Sequence, residues 1–152
     1  MGRIYSVSFE DQTLAAATAQ DAFQIEAVTV PAIIHAIYLS QSSDLGDAAA
    51  EGLLVRIRRV TDVLTNVTAE VLMDTGDSAA LADLNVNDAT QLVTGAATAH
   101  AEVWNIAMPF VYLPPPELRI VVPVSDTLTV AVAGPSDALT FSGTMYFEEV
   151  GA

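Results

Sequence analysis

A chain of 152 residues has the length of one domain, and this one joins a hydrophobic fraction of 52% to a net charge of −14. Nineteen acidic residues against five arginines (Arg3, Arg56, Arg58, Arg59, Arg119) and no lysine exclude the cationic surface that grips nucleic-acid phosphate. The absence of cysteine excludes disulfides, thiolate zinc sites and cysteine nucleophiles together.

No run approaches the roughly 18 apolar residues of a spanning helix. Met1-Gly2-Arg3-Ile4-Tyr5 enters a strand-like pattern without an apolar signal core, so a soluble chain with no membrane partner is expected. So much apolar side chain beside an anionic exterior points to apolar surface covered in an oligomer or against a partner.

From Arg3 to Glu10 the chain alternates, with Tyr5, Val7 and Phe9 on one face, and a strand is predicted. Leu14 to Ala19 is a small-residue connection, and Phe23, Ile25 and Ala27 form a short strand ending at Val30-Pro31. Ile33 to Ser43 is a second long strand. Strict alternation puts Ile33, His35, Ile37 and Leu39 on one face and Ile34, Ala36, Tyr38 and Ser40 on the other. Apolar residues on both faces suit a central strand or an edge covered by another subunit.

A polar loop, Gln41 to Asp47, leads to the strand Leu53 to Val60, with Leu53, Val55 and Ile57 inward and Leu54, Arg56 and Arg58 outward. From Thr61 to Ala99 the pattern loosens. Short β-like pieces (Ala69 to Met73, Thr90 to Thr94) are separated by Asp74-Thr-Gly-Asp77 and Asn85-Val-Asn-Asp88, with a helical turn at Leu81 to Leu84. The stretch carries Asp62, Glu70, Asp74, Asp77, Asp83 and Asp88 and no Arg or Lys. It reads as an elaborated loop region, the usual seat of contact function.

Ala101 to Ile106 is a strand holding the only tryptophan, Trp104. The prolines 114 to 116 exclude helix and central strand and predict an extended surface linker. Leu118 to Val122 and Thr127 to Val132 are further strands, and Ala133-Gly-Pro-Ser-Asp137 is a turn. Leu139 to Glu149 closes the pattern with Leu139, Phe141, Met145 and Phe147 on one parity, and Gly143 among them predicts a bend, a bulge or a close backbone approach. The expected fold is all-β: a single antiparallel sandwich over residues 1–152, most simply a jelly roll of about eight strands, with an elaborated loop at about 61–99.

Chemistry-bearing clusters are sparse. His35 lies among isoleucines as a packing or interface residue, and His100 beside Glu102 lacks the further ligands a metal site needs. Asp44, Asp47 and Glu51 have oxygens suited to a hard cation but match no calcium-loop spacing, so a solvated turn is preferred. Asp74-Thr-Gly resembles half of an aspartic-protease site and lacks the second carboxylate in the same chain. Asn66-Val-Thr68 is a glycosylation sequon without a secretion signal. No catalytic, cofactor or metal residues are assigned, and an enzyme is not expected.

Tyr5-Ser-Val-Ser-Phe-Glu10, His35-Ala-Ile-Tyr-Leu-Ser-Gln-Ser-Ser-Asp44 with Gly46-Asp47, Leu54-Val-Arg-Ile-Arg58, Pro115-Pro-Glu117 and Leu139 to Gly151 together resemble a family of small β-proteins encoded by tailed phages and prophages. The resemblance covers most of the chain outside residues 61–99 and rests on strands, not catalytic signatures. It implies a virion structural protein, foremost a capsid decoration (cement) protein on the outer head surface, with the major capsid protein and its own copies, as a homotrimer, for partners. A tail- or fibre-associated sandwich that binds a receptor or carbohydrate is the alternative. Arg56, Arg58, Arg59, Tyr38, Trp104 and Tyr112 are the candidate subunit or capsid contacts.

Overall fold

A computed structural model describes residues 2–43, 51–65 and 67–151. The readings that involve Asp44, Asp47 and Asn66 fall outside the described residues. Among the described residues there are eleven strands: β1 (Arg3–Leu14), β2 (Gln20–Glu26), β3 (Ala32–Gln41), β4 (Gly52–Val60), β5 (Val71–Leu72), β6 (Asp83–Asp88), β7 (Ala97–Asn105), β8 (Phe110–Tyr112), β9 (Val121–Val122), β10 (Thr127–Val132) and β11 (Leu139–Glu149).

They form two antiparallel sheets packed as a sandwich. The first has the order β5-β1-β11-β3-β8, with β9 also paired to β3; the second has the order β6-β2-β10-β4-β7. The chain crosses between the sheets at each of its first four strands, so neighbours in sequence face each other across the core.

β11 is the straight element of the first sheet. Its burial alternates at every residue, and it pairs along nearly its whole length with β1 and β3. Both partners bulge against it. In β1 the extra residue falls between Phe9 and Gln12, where Asp11 adopts φ 49° and donates its N–H to Ser142 Oγ at 3.0 Å. A short polar side chain tolerates that left-handed backbone better than most.

In β3 the register shifts where Tyr146 opposes Ala36 and Phe147 opposes Ile34, leaving His35 as the extra residue. A bulge places two residues opposite one and so reverses the face of everything beyond it. Ile34, Ile37 and Leu39 therefore all point inward, while Ile33 and His35 join Tyr38 and Ser40 outside. The facing expected from strict alternation is corrected accordingly.

Gly143 makes the expected close approach. A Cβ there would lie 2.8 Å from Leu39 Cδ2, 2.9 Å from Phe9 Cε1 and 3.0 Å from Phe23 Cζ. Side chains from both sheets converge on the space it leaves. Phe9 packs edge-on to Phe141 with ring centroids 4.8 Å apart, and lies 5.3 Å from Phe23 on the opposite sheet. Tyr5 stacks on Phe147 at 5.3 Å. Each fully buried ring of this kind contributes about 1.5–3 kcal/mol.

The loose stretch 61–99 is more ordered than its composition suggests. Asn85 to Asp88, expected as a separator, belongs to β6, which pairs with β2; the helical turn expected at Leu81 to Leu84 instead leads into that strand. Thr90 to Thr94 is not a strand. It crosses the outer face of the second sheet, where Leu92 N–H donates to Asp21 Oδ2 at 2.9 Å and Thr94 N–H to Asp62 Oδ2 at 2.9 Å. This cover makes β10 buried at all six positions, with Thr127 Oγ1 donating to the Asp62 carbonyl at 2.7 Å.

After β8, the last of the three prolines opens a one-turn 3-10 helix, Pro116–Leu118, in place of a plain linker. A proline at the first helical position gives up no hydrogen bond the turn would have made. The strand expected over Leu118 to Val122 shrinks to Val121–Val122 on the edge of β3.

Candidate functional site

The two long sides of the sandwich differ. On one side, β1 and β5 meet β6, and the seam is sealed by Tyr5 Oη, which donates to the Ser78 carbonyl at 3.0 Å. Glu149, wholly buried, seals it further: its Oε1 accepts N–H donors from Leu81 at 2.6 Å and Ala82 at 2.8 Å. Burial, with the Glu149 carboxylate nearby, raises the Tyr5 phenol above its usual range.

The other side is open. β7 is the outermost strand of the second sheet and β8 of the first. Between them and the proline segment lies a groove of about 460 Å³ whose walls include His100, Glu102, Tyr112, Leu113, Leu118 and Ile120. Two of its lining side chains, Leu113 and Leu118, are 65% and 69% exposed, and a neighbouring depression along the same edge adds Val103 at 64% and Met108 at 65%. Within the groove the His100 ring lies 4.8 Å from that of Tyr112, and His100 Nε2 is 3.4 Å from Glu102 Oε2. Burial raises the Tyr112 phenol above its ordinary value.

Of the expected contact residues, only Tyr112 reaches this edge with part of its surface in the groove. Trp104 is also at the edge but points into the core, 2% exposed, its indole N–H donating to the Met108 carbonyl at 2.6 Å. A partner cannot reach it, because it shares the inward parity of Leu53, its neighbour on β4. Tyr38 lies elsewhere, on the outer face of the first sheet, edge-on to Tyr146 with centroids 6.2 Å apart.

The three arginines of β4 do not act together. Arg56, at the middle of the strand, and Arg59, next to its last residue, are half-buried. Arg58, expected outward among surface charges, is buried under the crossing segment. It donates to Asp21 Oδ1 at 3.1 Å, to the Leu92 carbonyl at 3.3 Å and, through Nε, to Thr129 Oγ1 at 3.4 Å. It is a pin for that segment.

His35 is half-buried on the outer face of the first sheet, with Nε2 2.8 Å from Glu148 Oε2; the other oxygen of Glu148 accepts the Gly2 N–H at 3.0 Å. Asp74 accepts the Gly76 N–H at 2.9 Å in an exposed turn. Among the described residues, no group of three or more His, Asp and Glu side chains converges to hold a metal ion.

The rim residues Met108, Leu113 and Leu118 were not singled out from sequence. The readable signal was their position: large apolar side chains flanking three prolines, in a stretch too irregular to bury them. What the edge can do chemically is bind. Among the described residues it offers an unpaired strand, an apolar rim and an imidazole–carboxylate pair. No protein-family model, curated protein or solved structure matches the chain.

Proposed function

We propose that this chain is a virion structural protein, a capsid decoration protein that binds the outside of a phage head as an oligomer, with the major capsid protein and further copies of itself as partners. Its role on this reading is mechanical, not catalytic. The observation that carries it is the open β7–β8 edge, a concentrated apolar rim on a chain whose net charge is otherwise strongly negative. Exposed apolar surface so gathered is the mark of a binding face.

The strand order is a second support. β1-β11-β3-β8 facing β2-β10-β4-β7 supports a jelly-roll reading of the sandwich, with β5, β6 and β9 as additions at the sheet edges. That architecture recurs in viral capsid proteins and in lectins. The sequence resemblance to phage-encoded β-proteins selects the first of these.

Incubation of the purified protein with undecorated phage heads, followed by sedimentation and imaging, tests the reading. Stoichiometric occupancy of the shell is expected; absence from both reconstituted heads and purified virions would reject it. One feature favours the fibre-type alternative: Tyr38, beside Ser8, Ser40 and Thr144, rims a depression of about 370 Å³ on the open face of the first sheet. Binding on a glycan array, abolished by Tyr38→Ala, would move the chain to that class.

A further inference from the structure

β7 presents nine residues of strand whose outward N–H and C=O groups have no neighbouring strand among the described residues. Most of its side chains are exposed on both faces, and it contains no Lys, Arg or Pro to blunt pairing. Such an edge is a template for another strand. The charge pattern selects which one.

We infer that β7 pairs antiparallel with β7 of a second copy of this chain, about a two-fold axis through Ala101. Ala101 is the middle residue of Ala97–Asn105, and the regular run His100–Glu102 around it lies just past the bulge that β7 makes against β4 at Ala99. The axis sets His100 of each copy opposite Glu102 of the other. Opposed residues in an antiparallel pair hold their Cβ atoms about 4.5–5.5 Å apart, within reach of an imidazole–carboxylate contact. His100 and Glu102 already lie 3.4 Å apart within one chain, so the pairing builds a ring of alternating imidazoles and carboxylates.

Neighbouring registers are worse. An axis at His100 sets imidazole on imidazole, and an axis at Glu102 sets carboxylate on carboxylate. The apolar rim fits the same seam: β8 and the proline segment run beside β7, so Leu113 and Leu118 lie where the second copy arrives. Joining the edges makes one continuous sheet of ten strands from two five-stranded ones. A two-fold contact closes on itself, so the unit is a pair, in place of the homotrimer that the resemblance implies. The inference gives a second copy the edge that the head-binding reading also draws on, and the size of the free protein in solution tests the pairing apart from head occupancy.

Light scattering during size exclusion at tens of micromolar protein tests it. The wild type is expected at twice the 16.0 kDa chain mass. Glu102→Arg sets Arg against His100, and His100→Glu sets Glu against Glu102, so each variant alone should self-associate at least tenfold more weakly. Mixed one to one, they restore both opposite-charge contacts and should recover the dimer.

Because the chain has no cysteine, Ala101→Cys gives a second readout that leaves the charges untouched. It should form a disulfide-linked dimer under mild oxidation, while Thr75→Cys, exposed in the turn after β5 on the opposite seam, should not. A wild type that is monomeric or trimeric, variants that associate as strongly as wild type, or an Ala101→Cys chain that fails to cross-link would each overturn the inference.

Discussion

Asp21 on β2 and Arg58 on β4 meet across the intervening strand β10, their charged atoms 3.1 Å apart and both side chains shut off from solvent. The pair lies on the outer face of a sheet, where charged residues normally need no partner. It is buried because the segment after β6 crosses above it, and it holds that segment in turn. Asp21 Oδ2 accepts from Leu92 N–H and from Gln24 Nε2, while Arg58 donates to the Leu92 carbonyl. Gln24 passes the network to Asn85 at 3.1 Å, and Asn85 passes it to Asp88 at 2.8 Å.

Removing one member of this pair leaves the other charge buried. Arg58→Ala is therefore expected to destabilise the fold by about 3–5 kcal/mol, far beyond a surface arginine. Arg56→Ala, on the same strand but half-buried and outside the network, is the control and should cost little. Urea denaturation of both variants decides the matter, and equal midpoints would show that the crossing segment is not pinned as described.

The same site has a pH signature. Burial, the largest influence on Asp21, raises its carboxyl pKa, as does the nearby Asp88; the donors from Gln24, Leu92 and Arg58 pull it back only in part. A carboxyl whose folded pKa is raised binds its proton more tightly in the native state. Its contribution to stability is then fully present below the unfolded value, about 3.9, and is lost as pH rises through the raised folded value. Asp21→Asn cannot titrate. The stability of wild type relative to Asp21→Asn should thus decline as pH rises from about 4. A difference that grows instead would mean the ion pair outweighs desolvation.

These residues also mark where sequence stopped being informative. β10 and β11 are legible to the residue, Thr127–Val132 and Leu139–Glu149, because neither has a bulge in its own chain to shift the period-2 parity, although Gly143 and Glu149 break the apolar run on one face of β11. β3 is legible as a strand but not in its facing, since the extra residue at His35 depends on register against β11, a partner more than a hundred residues away. β6 is hidden by its composition: Asp and Asn are depleted in strands, and here they serve an outward network that no local pattern reveals. Arg58 obeys its outward parity; only the segment folded over it makes it buried. At the open edge, Tyr112 and Trp104 are themselves buried, and the exposed surface comes from Leu113 and Leu118 in the irregular stretch.

Glu149 carries the opposite seam. Its position shares the inward parity of Phe147, and it tolerates burial because Oε1 receives two backbone donors from the turn before β6. Glu149→Ala would orphan the Leu81 and Ala82 N–H groups at a cost of about 1–3 kcal/mol, whereas Glu149→Gln keeps an acceptor oxygen and should cost less. Hydrogen exchange gives the local readout: in the Ala variant, the amides of Leu81 and Ala82 should lose protection before those of β10. If they stay protected, another acceptor is replacing Glu149.

Leu118 separates binding from folding most cleanly. It is the most exposed of the rim side chains and, as the last residue of the 3-10 turn, faces solvent instead of the core. Substitutions at such positions usually shift stability by less than about 0.5 kcal/mol, so Leu118→Asp should melt with the wild type. A new carboxylate on the rim must be desolvated when the edge is covered, without a partner, and that penalty falls on binding alone. Head occupancy, measured by co-sedimentation at equal protein concentration, is expected to fall at least tenfold for Leu118→Asp. Thr75→Asp, exposed in the turn after β5 on the opposite seam, adds the same charge and should bind as wild type does. Undiminished occupancy with Leu118→Asp would place the head-binding face elsewhere, with the open face of the first sheet around Tyr38 the next surface to alter.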